Sequence, residues 1–184
     1  PSLEGDLGGG VVGLGDGTDR WATGRLAHAL PEGTYCLHEL VGVEAVDQDV
    51  ISTWAVLAWC LGAYRFDQYK AEPGSKSATL VWPERADKAY VLGTANAALL
   101  TRDLINTPAE DMGPSALAAA SQTLADTHGA HLDTIVGDDL LTSNLPAIHA
   151  VGRAAVETPR LIDLTWGDDK NPKVTLVGKG VCFD

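Results

Sequence analysis

The sequence is poor in basic residues, in cysteine and in long apolar runs, and each shortage excludes something. Thirteen lysines and arginines stand against 25 acids, for a net charge of −12. A chain this acidic repels a phosphate backbone, and no basic cluster relieves the repulsion, so nucleic acid is not an expected partner. The imbalance is steepest in the first fifty residues, where nine acids face only Arg20 and Arg25; that reads as a solvated acidic face. No apolar run approaches the ~20 residues of a membrane span, and no membrane partner is expected. Neither a basic nor an apolar stretch of the secretory kind is seen near the start. The three cysteines, Cys36, Cys60 and Cys182, are odd in number and lack metal-ligand spacing. Reduced thiols in a cytoplasmic protein are therefore expected, without a Cys36–Cys60 bridge. Cys182 reads as a small apolar residue rather than a catalytic thiol.

The glycine loops also lack the context that phosphate binding needs. Gly8, Gly10 and Gly13 fit G-x-G-x-x-G, but that fingerprint must follow a strand and open a helix, and here Val11-Val12 follows the first glycines. Gly13 to Gly17 holds Asp16, which would repel a phosphate. The expected structure is a strand over Val11–Leu14 with a glycine turn after it.

What is present is an ordinary globular composition: 184 residues, 45% hydrophobic and 21% charged, enough for one large domain or two small ones. Trp21, Leu26 and Leu30 predict a helix over Arg20–Leu30, ended by Pro31 and Gly33. Tyr35–Leu40 reads as a strand. Val50, Ile51, Trp54, Leu57, Ala58 and Leu61 give the helical pattern for Asp47–Tyr64. After it, Tyr64–Lys70 is an aromatic-charged turn, Pro73–Ser77 a polar turn, and Ala78–Trp82 a short strand, in all a small α/β layer. Pro83 marks a boundary. Ala86–Asn106, alanine-rich and free of proline inside, predicts one long helix suited to connecting two domains. Pro114–Thr127 is a helix with proline in its first turn and Gly129 at its end. His131–Val136 and Arg160–Trp166 read as strands, Asp138–Leu145 as a short helix or turn, and Pro146–Ala155 as a small-residue stretch suited to close packing beside a site. His128 and His131 have helical metal-pair spacing, but Gly129 between them separates them; both read as surface histidines.

The last stretch carries the chemistry. Val174–Val177 is a β-branched apolar run and predicts a buried strand. It breaks into Gly178-Lys179-Gly180, and glycine on both sides lets another group approach closely. A lysine at the end of a core strand is costly unless its amine is paired or neutral, and a neutral amine can ligate a metal. Asp184 offers a hard oxygen ligand five residues on. A phosphate loop would need Ser or Thr after the lysine, where Gly180 stands. From the residues alone, Lys179 solvated at a strand end with Asp184 in a turn stays an open alternative.

Val177-Gly178-Lys179-Gly180-Val181-Cys182-Phe183-Asp184 resembles the metal-binding signature of the leucyl aminopeptidase family, the two-metal cytosolic aminopeptidases. Tyr64-Arg65-Phe66-Asp67-Gln68-Tyr69-Lys70 is similar to that family's Y-R-F-D-x-Y-K segment. Thr101–Ala109 resembles its R-D-L-x-N-T-P-A motif, and Pro146–Ala155 its P-A-I-x-x-V-G-R-A segment. The matches run in order from Tyr64 to Asp184; residues 1–60 match in pattern only.

The resemblance implies an α/β protein with a small amino-terminal α/β domain (1–84), a connecting helix (85–106) and the first part of a larger α/β metallopeptidase domain with a mixed sheet (107–184). It implies release of an amino-terminal, leucine-type residue from peptides by a water activated on two divalent ions, zinc, manganese or magnesium. Lys179 would ligate one ion and Asp184 would bridge both. It also implies a homo-oligomer, a hexamer. No catalytic residue is assigned here, and His149 and Arg153 are given no catalytic role. The family's further ligands, two aspartates and a glutamate, and its reaction-centre lysine and arginine lie at positions after Asp184. The chain is therefore expected to be part of a longer enzyme, to bind metal weakly by itself and to hydrolyse nothing. The rival expectation is a non-catalytic module, binding a ligand near Gly13–Gly17 or building an oligomer.

Overall fold

The computed structural model describes residues 8–13, 19–38, 47–72 and 78–182. The chain falls into two compact units, Pro1–Asp103 and Leu104–Asp184.

The first unit is built on helix α2, Gln48–Gly62. Asp47 precedes it, and its carboxylate accepts the Asp49 N–H at 2.8 Å, an Asx-type cap for a donor that has no partner within the helix. Sequence periodicity predicts one apolar stripe on this helix. The structure instead buries five successive residues, Ala55 to Trp59, because α2 is covered on two sides. On one side lies a 3-10 turn, Ala22–Arg25, which runs into α1, Leu26–Ala29. The predicted single helix over Arg20–Leu30 is thus a tight turn plus one α-turn, and Thr23 Oγ donates from it to the buried Ala55 carbonyl at 2.9 Å. On the other side, Val56 and Leu57 pack with Ala86, Val91 and Ala95. Val91 and Ala95 belong to α3, Lys88–Asn106. Full burial of a Val or Leu side chain contributes about 1.5–3 kcal/mol, so this cluster is a main source of the unit's stability.

β1, Thr34–Tyr35, and β2, Thr79–Leu80, pair in parallel, Thr34 opposite Thr79 and Tyr35 opposite Leu80. β2 falls inside the expected Ala78–Trp82, whereas β1 shares only Tyr35 with the expected Tyr35–Leu40: residues 36–38 form no strand, and residues 39–40 lie outside the described residues. Trp59, Ala27 and Ala78 form a second core cluster, with Tyr35 and Leu80 packed against it. The strand expected over Val11–Leu14 does not form at residues 11–13, and Leu14 lies outside the described residues. Val11 is fully exposed: with glycines on both sides and no partner among the described residues, two valines gain no ladder hydrogen bonds. The Pro73–Ser77 turn and residues 14–18 likewise lie outside the described residues.

In the second unit, α4, Pro114–His128, starts with proline at its first position and ends at Gly129, whose φ of 63° is the left-handed conformation glycine adopts without cost. The chain then enters β3, His131–Val136, which pairs antiparallel with β4, Arg160–Thr165, from His131 opposite Thr165 to Val136 opposite Arg160. Between them lie α5, Asp139–Thr142, and α6, Pro146–Gly152. The small-residue stretch read from the sequence is therefore largely a helix. Its close packing is real: Gly152 sits against the Pro159 ring. The two units together bear out an α/β fold.

A tertiary contact caps α4. Gly113 stands at its N-cap position without a side chain to offer, and Glu157 supplies the carboxylate, accepting from Ser115 Oγ at 2.5 Å and from Ser115 N at 2.9 Å. The hydroxyl bond first, then the backbone bond, holds the Glu157 carboxyl below the ordinary carboxylate range. A depressed folded-state value gives stability that is present above the ordinary value of 4.5 and is lost as pH falls through the depressed one. Melting temperature recorded from neutral pH downwards is expected to fall below that point, and less steeply for Glu157→Gln than for the wild type. Identical slopes would contradict this role for the carboxylate.

Candidate metal centre

The apolar run Val174–Val177 forms no strand. It lies exposed after a turn at Gly167–Pro172, with Val174 at 82%, Leu176 at 92% and Val177 at 92% of full exposure. The sequence expectation of a buried strand fails for a physical reason. A strand is held by its neighbour's backbone and by burial of its side chains, and among the described residues β3 and β4 pair only with each other.

Lys179, between Gly178 and Gly180, is exposed as well. An alanine-like Cβ at either glycine would meet nothing within 4 Å, so among the described residues no group makes the close approach that these glycines would permit. The burial cost that makes a metal-ligating amine attractive therefore does not act on Lys179 here. Asp184 lies outside the described residues. The structure thus locates one of the two expected ligands, Lys179, and leaves its pairing with Asp184 untested.

Among the described residues, no three His, Cys, Asp or Glu side chains are grouped to hold an ion. The histidines have other company. His128 ends α4 and His131 opens β3, and His131 Nε2 stands 3.1 Å from Asp133 rather than toward His128. His149 Nε2 is 3.1 Å from Asp138. The three cysteines are free thiols, as their number suggests. Burial pushes the Cys60 thiol up, away from the reactive thiolate. A lysine amine and a carboxylate are hard donors suited to a divalent ion, but the described residues hold only the exposed amine of that pair.

Other concavities add no chemistry. A space of about 240 Å³ beside β2 is lined by Val56, Trp59, Cys60, Ala78, Thr79, Leu80 and Trp82, mostly apolar. A more open cleft lies between the start of α2 and the turn before α3, and four of its polar residues bond within the fold. Arg85 pairs with Asp49 at 3.5 Å, Thr53 Oγ accepts the Asp87 N–H at 2.9 Å, and Asp87 accepts the Tyr90 N–H at 3.0 Å. The residues before Gly8 and residues 14–18 lie outside the described residues, so the structure does not test the dinucleotide pattern. The Glu157 cap went unread in the sequence: its partner is 42 residues away, and no local signal links them.

Comparison with known proteins supplies what the geometry does not. Residues 1–83 match the M17 aminopeptidase N-terminal domain, and residues 99–184 match the catalytic domain of the cytosol aminopeptidase family. A probable cytosol aminopeptidase of Streptomyces coelicolor is 31% identical over 90% of this chain and 36% of its own length. One from Halorhodospira halophila is 39% identical over 66% of this chain and 27% of its own. The crystal structure of cytosol aminopeptidase from Coxiella burnetii aligns with a TM-score of 0.80 and 44% identity, covering 90% of this chain and 35% of that one. The bottromycin maturation enzyme BotP in complex with Mn aligns with a TM-score of 0.70 and 31% identity, over 82% of this chain and 33% of its own. The chain spans about a third of the length of the curated relatives it matches. No helix of the described residues is long and apolar enough to cross a membrane. Matched in both its halves and in its fold, the chain belongs to the cytosol aminopeptidase family.

Proposed function

We propose that residues 1–184 are the amino-terminal portion of a metal-dependent aminopeptidase that releases leucine-type residues from peptides, with Lys179 and Asp184 as two of its metal ligands. The observation that carries this is the match of both halves of the chain to the two domains of one peptidase family, together with the Val177–Asp184 segment. Two divalent ions would supply an activated water and polarise the scissile carbonyl. Manganese is the natural first probe, since a relative is described with it and the donor set holds no thiolate to favour zinc. The reading divides the chain into an amino-terminal domain (1–84), a connecting helix (85–106) and the beginning of the catalytic domain (107–184). It extends to peptide substrates, a cytoplasmic site of action and a homo-oligomer, hexameric by resemblance.

One carboxylate offsets one of the four charges on two dications, so these residues alone are not expected to assemble the centre. Purified 184-residue chain with added manganese is expected to hydrolyse leucine amide at the background rate. A chimera joining residues 1–184 to the remaining part of the Coxiella burnetii enzyme is expected to be active, and Lys179→Ala in it to lose roughly a thousandfold, the scale of several kcal/mol of metal-borne stabilisation. A folded chimera whose activity survives Lys179→Ala would contradict the assignment.

A further inference from the structure

Two of the segments that resemble the family, Tyr64–Lys70 and Thr101–Ala109, carry no ligand and no reacting group in the function proposed above. In the structure they meet. The Arg102 guanidinium donates to the Leu61 carbonyl at 2.6 Å and lies over the Tyr64 ring, 5.3 Å from its centroid. The Tyr64 hydroxyl donates to the Asp103 carboxylate at 2.8 Å. Leu61 stands in the last turn of α2, where carbonyls lack partners within the helix and the dipole ends negative. That turn has no basic residue of its own, and Arg102 of α3 supplies the missing cation. A guanidinium suits this place better than an ammonium, because its planar fork can donate to a carbonyl while its face stacks on an aromatic ring.

The opposite end of α3 is fixed separately. The Asp87 N–H, just before the helix, donates to Thr53 of α2, and Val91 and Ala95 are buried against Val56 and Leu57. Beyond Ala95 toward the helix end, Arg102 reaches back to α2. It falls immediately before the division between the units at Asp103 and Leu104.

We propose that Arg102, Tyr64 and Asp103 form a clasp that caps α2 and fastens the carboxy-terminal half of α3 to it, making α3 part of the amino-terminal unit through Asp103. These are positioning residues, and the clasp stands whether or not a metal centre forms.

Hydrogen exchange on the 184-residue chain reads it directly, comparing the amides of residues 99–103 with those of Val56–Trp59 in the core of α2. Arg102→Ala is expected to speed exchange at 99–103 about tenfold, the size of a lost charge-assisted bond, with Val56–Trp59 unchanged. Arg102→Lys, which keeps the charge and loses the fork and the stack, is expected to show roughly half that effect on a logarithmic scale. Tyr64→Phe, which removes only the hydroxyl, is expected to speed exchange there about threefold. Unchanged exchange at 99–103 would overturn the proposal, and so would equal acceleration at both sites, since that would mark a general contribution to stability. Should Arg102→Ala fail to fold, Tyr64→Phe decides by the same criterion.

Discussion

Gly62→Ala is expected to destabilise the amino-terminal unit by about 3 kcal/mol and to lower its melting temperature by roughly 15 °C. A Cβ built at Gly62 would overlap the carbonyl carbon and oxygen of Gly24. Those atoms are backbone and cannot rotate away as a side-chain tip could. Gly24 is itself hemmed in, for a Cβ there would stand 2.8 Å from the Ala58 oxygen of the same helix. Relief therefore requires α2 and the 3-10 turn at Ala22–Arg25 to separate, which disturbs the buried Thr23 to Ala55 bond between them. Gly93→Ala serves as the control. It lies inside α3, its added Cβ would meet nothing within 4 Å, and the change should stabilise by about 0.5–1 kcal/mol through helix propensity. Urea unfolding followed by near-ultraviolet circular dichroism of the tryptophans measures both. A Gly62→Ala chain as stable as the wild type would show that the two elements do not approach as described.

In the second unit, Gly152→Ala is expected to cost on the order of 2 kcal/mol. Its Cβ would overlap Pro159 Cβ and lie 2.9 Å from Cγ. A proline ring has no rotamer by which to step aside, and Pro159 is held from behind: its carbonyl accepts the Gly137 N–H at 2.9 Å. The next residue, Arg160, opens β4 opposite Val136. Moving Pro159 would thus pull at the end of the β3–β4 ladder. The expected signature is faster amide exchange at Val136 and Arg160 together with a lower unfolding midpoint. Stability and exchange both equal to wild type would contradict the contact.

These two glycines also mark how far the sequence could be read. Gly152 falls within a segment whose small residues suggested close packing, and the packing is there, although the helix around it was hidden by alanines that carry little periodicity. The tight fit at Gly62 was invisible, because its partner Gly24 lies across the chain and glycine leaves no pattern. Helices α2, α3 and α4 were legible within a residue or two, since their apolar spacing and end signals agree. Strands β3 and β4 were legible from their β-branched residues. Val174–Val177 has the same composition and forms no strand, because composition states what a segment can pair with and not whether a partner is beside it. The metal-site reading of Lys179 came from resemblance to a family, and its supporting premise, burial of the lysine, is absent from the structure.

The most direct test of the proposed metal site is a calorimetric titration of the 184-residue chain with manganese, run in parallel on Lys179→Ala and Asp184→Asn. Weak, saturable binding by the wild type that disappears in both variants is the predicted result, because each would remove one of the two proposed donors. Binding of the same strength in all three proteins would place the ion elsewhere and contradict the assignment of Lys179 and Asp184.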